Sequence, residues 1–122
     1  MEDKRVLLVD DDINVSDFLY EFFKDYGFHL DTTECPDEAR NLIKEHNYQL
    51  IFVDITLNRT DGTELAMELY NSEKAYNVII FTGKPKEWVA HNIDCGIKVI
   101  HKPFRIDELI KLVDTVTDCS DA

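Results

Sequence analysis

Short apolar runs alternate along this chain with longer segments whose apolar residues recur every three or four positions. Four runs, at residues 6–9, 50–53, 78–81 and 97–100, are rich in Val, Ile and Phe. Such runs are typical of strands buried on both faces of a parallel sheet. A fifth, weaker run at residues 28–34 alternates apolar and polar residues, which predicts a half-exposed edge strand.

Helical patterns fill the intervals between these runs. The first helix is expected to stop at Gly27, and Pro36 is well placed to open the second. A short fourth helix is expected over about residues 85–93, with Val89 and Ile93 facing inward beside Trp88. Apolar residues at helical spacing mark the first, third and fifth helices: Val15, Phe18, Leu19, Phe22, Phe23 and Tyr26, then Leu65, Met67, Leu69 and Tyr70, then Ile106, Leu109, Ile110, Val113 and Val116.

Five strand–helix repeats predict a doubly wound α/β fold. Strands that alternate with helices form a parallel sheet with right-handed crossovers and helices on both faces. A length of 122 residues suits one domain, residues 1–122, with a sizeable core. In this architecture chemistry gathers at the carboxyl ends of the strands.

Composition narrows the possible partners and surroundings. The net charge of −12 argues against direct nucleic-acid binding, which depends on Lys and Arg, and favours protein partners. No apolar run reaches the ~18 residues needed to span a bilayer, and no signal peptide is evident, so we expect a cytoplasmic protein without membrane contact. Cys35, Cys95 and Cys119 are widely spaced, which predicts reduced thiols, mostly structural, and no zinc site.

The residues at the predicted strand ends are carboxylates, a hydroxyl and an ammonium. Carboxylates ~4 Å apart repel by about 4 kcal/mol at an effective dielectric near 20, so the cluster requires a cation. Mg²⁺ suits carboxylate oxygens, and one carboxylate could act as a nucleophile toward phosphorus. The residues are Asp10, Asp11 and Asp12 after the first strand, Asp54 ending the third, Thr82 ending the fourth and Lys102 after the fifth.

Each of these residues also has an ordinary structural interpretation. Asp12 precedes a helical pattern and is a good N-cap. Thr82 alone could cap a helix, and a lone Lys102 after a strand would usually be a solvated charge. Their joint occurrence at four strand ends favours the functional interpretation.

Four motifs in order resemble the receiver domain of two-component response regulators: VDDD at 9–12, FVDITLNRTDG at 52–62, FTG at 81–83 and HKPF at 101–104. The similarity covers essentially the whole chain. It implies a flavodoxin-like (βα)5 fold with strand order 2-1-3-4-5 and a phosphorylation-dependent switch that uses Mg²⁺. It also implies a role for each site residue: Asp54 as phosphoacceptor, Asp11 as direct Mg²⁺ ligand, Asp10 as a ligand mainly through water, the main-chain carbonyl of Thr56 as a further ligand, Thr82 as switch hydroxyl and Lys102 as phosphate-pairing ammonium.

The resemblance further implies a histidine kinase or histidine phosphotransfer protein as donor, and a downstream protein or an attached output domain as target. A cis bond between Lys102 and Pro103 is common in such domains. The chain departs from the family at Val99, where many members carry Tyr or Phe, and at Asn58, where Pro is frequent. The short fourth helix is a third departure, and the two features near the fifth strand make an unusual output face.

Two other functions fit parts of the pattern. Asp10 and Asp12 form an Asp-x-Asp pair after a strand, which resembles the nucleophile and acid of the haloacid dehalogenase phosphohydrolases. The chain is short for that family and lacks a Thr two residues beyond Asp12. Alternatively, the chain is a binding module of receiver fold that is never phosphorylated. A calcium loop starting at Asp54 is excluded by the positions of Gly62 and Leu65.

Overall fold

The computed structural model describes residues 4–55, 61–72, 77–94, 96–103 and 105–121, with backbone alone at residue 61 and at residues 116–121. Strands and helices alternate as the sequence predicts, with boundaries within a few residues of those expected. The elements are β1 Arg5–Val9, α1 Ile13–Asp25, β2 His29–Thr33, α2 Pro36–Glu45, β3 Leu50–Asp54, α3 Asp61–Tyr70, β4 Val78–Thr82, α4 Lys86–Asn92, β5 Lys98–His101 and α5 Ile106–Asp121.

The described strands form one five-stranded parallel sheet in the order β2-β1-β3-β4-β5. This confirms the predicted fold and strand order. β2 lies at one edge, as its alternating pattern predicts. β5 lies at the other edge, and the prediction that it is buried on both faces is wrong: Lys98 is exposed, and Val99 and His101 are half-buried.

Helices cover both faces of the sheet. Leu8 and Phe52 face α1 and α5, where they pack with Phe23 and Leu109. Leu7 and its neighbours on the other side of the strands pack against α2, α3 and α4. The strand runs are apolar at consecutive positions because each strand is covered on both sides. No helix in the described segments has the length and apolar character needed to cross a bilayer.

Local capping sets the limits of α1. The Asp12 carboxylate accepts a hydrogen bond from the Asn14 N–H at 2.9 Å, which confirms the N-cap interpretation of this residue. At the other end Gly27 adopts a φ of +80°, a conformation that suits glycine after a helix C-terminus. Pro36 opens α2 at its first turn, as predicted.

Three predicted core positions are exposed to solvent. Phe18, Ile106 and Ile110 are 40%, 54% and 37% exposed. They lie on helices whose other apolar residues already fill the contact with the sheet, so the apolar stripe is wider than the surface it meets. Cys35 is also exposed, contrary to the expected structural role for most thiols. The side chains of Val116 and Cys119, and residue Cys95, lie outside the described part.

Two ionic contacts tie secondary-structure elements together away from the strand ends. Arg40 of α2 forms a two-pronged ion pair with Glu68 of α3, with N–O distances of 2.9–3.2 Å. Between β1 and β2, Asp31 accepts hydrogen bonds from the Tyr48 hydroxyl at 2.6 Å and from Arg5 at 3.0 Å. His29 lies 2.8 Å from the other oxygen of Asp31.

The Asp31 contacts favour its ionised form. Burial works against ionisation, but the hydrogen bonds from Tyr48 and His29, with the charge of Arg5, outweigh it and lower the pKa of Asp31. Because the folded-state pKa lies below the unfolded one, this charge stabilises the fold above the unfolded pKa of ~3.9. That stabilisation is lost as pH falls through the folded-state pKa.

We therefore expect Asp31→Asn to lower the free energy of unfolding at pH 7 by about 1–3 kcal/mol, the cost of a hydrogen bond to a charged group. The difference from the parent should shrink as pH falls below ~3.9, as urea unfolding followed by circular dichroism would measure. Asp17→Asn, at an exposed position of α1, is the control and should change little. A difference that does not vary with pH would contradict this assignment.

Gly62 allows α3 to approach β3 closely. A Cβ added at Gly62 would lie 2.8 Å from the main-chain oxygen of Asp54 and 3.3 Å from the Ile55 side chain. The first contact is with backbone, which cannot move aside as a flexible side chain can. The glycine of the Asp-Gly pair that opens α3 therefore meets a packing requirement.

Gly62→Ala should lower the free energy of unfolding by about 1–3 kcal/mol because the methyl group forces α3 and β3 apart. Thermal unfolding measures the effect, with Glu64→Ala at an exposed site of the same helix as control. An unchanged or raised melting temperature for Gly62→Ala would show that the helix adjusts without cost.

Candidate functional site

Main-chain hydrogen bonds extend the sheet beyond the strand ends and fix the residues that follow. The Asp10 N–H donates to the Thr33 carbonyl at 3.0 Å, and the Lys102 N–H donates to the Thr82 carbonyl at 2.7 Å. The residues after β1 and β5 are thus held at the carboxyl ends of the strands, where β3 also ends. We call this side of the sheet its carboxyl edge. Thr33 was not singled out from the sequence, since its contribution here is through a carbonyl that every residue has.

Lys102 joins the first and third strand ends. Its Nζ lies 2.8 Å from a carboxylate oxygen of Asp54 and 3.5 Å from one of Asp10. The carboxylates are almost completely buried, with 2% and 0% of their side chains exposed, and Lys102 is 20% exposed. These three predicted residues therefore meet in one buried cluster, although 48 and 92 residues separate Lys102 from the two aspartates in sequence.

The cluster contains two carboxyl groups and one amine, and this imbalance affects the pKa of Asp10. Burial, together with a hydrogen bond and the charge of Asp54, raises the pKa of Asp10 to about 7. Burial alone would lower the pKa of Lys102, but the hydrogen bond to Asp54 and the charge of Asp10 raise it instead. With both carboxyls ionised, the three side chains carry one uncompensated negative charge in a poorly solvated place.

The other acidic residues of the first loop lie differently. The side chain of Asp11 is exposed, next to the buried Asp10. The Asp12 N–H donates to the second oxygen of Asp10 at 3.0 Å, while the Asp12 carboxylate caps α1. The carboxylate of Asp10 thus belongs to the buried cluster, whereas that of Asp12, two residues later, caps α1.

Thr82 lies at the end of β4 and is completely buried. Its hydroxyl oxygen accepts a hydrogen bond from the Lys84 N–H at 2.9 Å, so it orders the turn before α4. The hydroxyl keeps its own proton to donate. The Lys84 ammonium lies over the Trp88 ring, 5.2 Å from its centroid, a contact that the sequence did not suggest.

The donor set fits a hard divalent cation. The carboxyl groups of Asp10 and Asp54 supply oxygen atoms, and the raised pKa of Asp10 shows that Lys102 alone does not balance two negative charges there. Asp11, the next residue in the chain after Asp10, has an exposed side chain. Within the described segments no three acidic, His or Cys residues are grouped as a metal cage. Mg²⁺ is usually held by one or two carboxylates with several waters, so such a cage is not required. Thr56, the predicted carbonyl ligand, and Asn58 lie outside the described residues. The Lys102–Pro103 bond is cis, as the family resemblance implies.

Comparison with known proteins gives consistent results. The chain is 28% identical over 115 residues to the response regulator receiver protein CpdR of Brucella abortus, covering 91% of this chain and 94% of CpdR. It is 28% identical over 120 residues to the cell cycle transcriptional regulator CtrA of Caulobacter vibrioides. That match covers 92% of this chain, and the chain spans 49% of CtrA's length.

Among solved structures, the fold is similar to the response regulator TrrA of Thermotoga maritima. A crystal structure of TrrA in complex with Mg²⁺-BeF gives a TM-score of 0.78 at 29% identity, covering 93% of this chain and 98% of TrrA. A crystal structure of the histidine kinase ThkA in complex with TrrA is also similar to this chain, with a TM-score of 0.74. The sequence model of the family described as "Response regulator receiver domain" matches residues 6–114, which is most of the chain. The chain therefore belongs to the response regulator receiver domain family.

Proposed function

We propose that this chain is a phosphorylation-dependent switch of a two-component or phosphorelay system, with Asp54 as the acceptor. The observation that carries the proposal is the contact of the Lys102 ammonium with the buried carboxylate of Asp54, at 2.8 Å, beside Asp10. A nucleophilic carboxylate needs a cation nearby when a charged phosphoryl group approaches. Lys102 supplies one in a fixed position.

In the transfer step, an oxygen of Asp54 attacks the phosphorus of a phosphohistidine donor. The O–P bond forms as the P–N bond breaks, and the electron pair of that bond returns to the imidazole, which takes up a proton. Lys102 then pairs with a phosphoryl oxygen, and the Thr82 hydroxyl donates to another. The chain catalyses only its own phosphorylation and the hydrolysis of the product, so it is a signalling protein and not a turnover enzyme.

Asp10, Asp11 and the carbonyl of Thr56 are the residues that would hold Mg²⁺ with Asp54. The burial of the Asp10 and Asp54 carboxyl groups beside a single ammonium supports this assignment, because a second cation would allow both to ionise, and TrrA is a relative whose structure contains Mg²⁺-BeF. A metal held there would supply positive charge to offset that of the incoming phosphoryl group. Asp10 lies at the buried side of the loop and Asp11 at its exposed side, so the two would meet the ion differently.

Switching follows from the connections of Thr82 and Lys102. Thr82 is bonded to the turn before α4, and Lys102 continues β5 toward α5. A shift of these side chains toward a phosphoryl group would disturb the surface formed by α4, β5 and α5. The donor would be a histidine kinase or histidine phosphotransfer protein, as the TrrA–ThkA complex suggests for a relative. The target would be a downstream protein or an attached output domain, with no nucleic acid bound by this domain.

Two observations favour a second function, that of a binding module which is not phosphorylated. α4 is only seven residues long, and Val99 stands where many receivers have an aromatic ring. The phosphohydrolase hypothesis gains no support, because the Asp12 carboxylate, its acid, is occupied in capping α1.

Asp54→Asn should abolish acid-labile phosphate incorporation from acetyl phosphate, because an amide cannot form the acyl phosphate. Mass spectrometry of intact protein measures the added phosphoryl group. Asp12→Asn is the matched control: Asn is also a good N-cap, so folding and incorporation should both persist. Undiminished labelling of Asp54→Asn would refute the acceptor assignment. Loss of phosphate incorporation in Asp12→Asn would favour the phosphohydrolase mechanism.

Lys102→Met should tighten Mg²⁺ binding about tenfold while slowing phosphate incorporation. Removal of a positive charge 2.8 Å from Asp54 leaves both carboxylates available to the metal, and tenfold corresponds to about 1.4 kcal/mol. Isothermal titration calorimetry measures the affinity. Lys84→Met removes a nearby lysine whose ammonium lies over Trp88, so its Mg²⁺ affinity should stay near that of the parent. Weaker binding by Lys102→Met would mean that Lys102 and the metal do not share carboxylates.

A further inference from the structure

The outer edge of β5 is unpaired among the residues that the structure describes. β5 pairs with β4, and no described residue pairs with its other side. The Lys102 N–H points to β4, where it donates to Thr82. Since successive residues of a strand direct their amide groups to opposite edges, the N–H and C=O groups of Val99 and His101 point outward.

Two grooves flank this edge, one on each face of the sheet. The groove on the α4 side has a volume of about 340 Å³ and is lined by Lys86, Val89, Ile93, Val99 and His101, among others. The groove on the α5 side has a volume of about 300 Å³, and its lining includes Lys98, Ile100, Lys111 and Leu112. Both have apolar floors and charged rims.

The α4-side groove exists because little covers this part of β5. α4 has only seven residues, and none of them is fully buried. Val99, half-buried at the strand's middle, has a small side chain. The geometry therefore leaves room beside the strand on the face where a larger side chain would otherwise lie.

Charge around the grooves differs from that of the rest of the protein. The chain has 25 acidic and 13 basic residues, whereas the linings of the two grooves include more lysines than acidic residues. The groove rims carry three exposed lysines, Lys86, Lys98 and Lys111, and two exposed acidic residues, Asp94 and Glu108. An acidic partner segment is therefore repelled by most of the surface and attracted here.

We infer that the outer edge of β5 binds an extended acidic segment of a partner protein, which adds to the sheet as a sixth strand. Neighbouring side chains of an added strand point to opposite faces, so consecutive apolar residues would enter the two grooves in turn. Acidic residues on either side would meet the three lysines. This inference rests on the proposed function in that it names a partner for the same α4–β5–α5 surface, but the strand pairing itself does not require phosphorylation.

The probe is a synthetic octapeptide with four central apolar residues and two acidic residues at each end. We expect micromolar to submillimolar binding by fluorescence anisotropy. The diagnostic measurement is amide hydrogen exchange by NMR: the amides of Val99 and His101 should become protected when the peptide binds. Binding without that protection, or no binding at 1 mM peptide, would overturn the proposal.

Variants separate the parts of the site. The double variant Lys98→Glu, Lys111→Glu should weaken binding at least tenfold, and Val99→Phe should weaken it by filling the α4-side groove. A peptide N-methylated at its central amides should not bind, because it cannot pair with the strand. Retained binding of the methylated peptide would contradict strand addition.

Two further measurements separate peptide binding from phosphorylation and from self-association. Asp54→Asn should bind the peptide as the parent does, so a failure of the acceptor assignment leaves this test intact. Analytical ultracentrifugation reports whether the chain is monomeric. A dimer whose Val99 and His101 amides are already protected without peptide would mean that a second copy covers the edge, and this would overturn the proposed partner.

Discussion

The contact of the Lys102 ammonium with the buried carboxylates of Asp54 and Asp10 is the interaction on which the carboxyl edge of the sheet depends. It forms only when three segments that are distant in sequence are brought together by the parallel strand order. Removal of one partner from a buried ion pair leaves an uncompensated charge and typically costs about 3–5 kcal/mol. The cluster therefore ties correct folding to the assembly of the site.

The two polar clusters of the sheet differ in their charge balance. The carboxylate of Asp31 is satisfied by Tyr48, Arg5 and His29, and its pKa is lowered. At the carboxyl edge, Asp10 shares one ammonium with a second carboxylate and its pKa is raised. The Asp31 contacts stabilise the folded chain, whereas the carboxyl edge has one positive charge too few for its two carboxylates, a deficit that a bound cation would make good.

Much of this arrangement was predictable from sequence, because strand ends in a parallel sheet meet by topology alone. The apolar runs and their terminal residues were enough to bring Asp54 and Lys102 to one edge. The exposure of Phe18 and Ile106 was not predictable, since a helical stripe does not reveal how much of it the sheet can cover. The strand signal of β5 was also misleading: its apolar residues resemble those of a central strand, and only the strand order reveals its free edge. The contact of Gly62 with the Asp54 carbonyl depends on a helix–strand distance that the Asp-Gly pair does not encode.

The ion pair between Arg40 and Glu68 has a mechanical consequence. It links α2 to α3. By contrast, α4 on the same face has no side-chain N-cap, because it starts after Pro85, and it has no fully buried residue. Regions with few buried contacts open at the lowest free energy. A displacement at the end of β4 would therefore be taken up by local melting or tilting of α4 more readily than by α2 and α3, which have buried residues against the sheet.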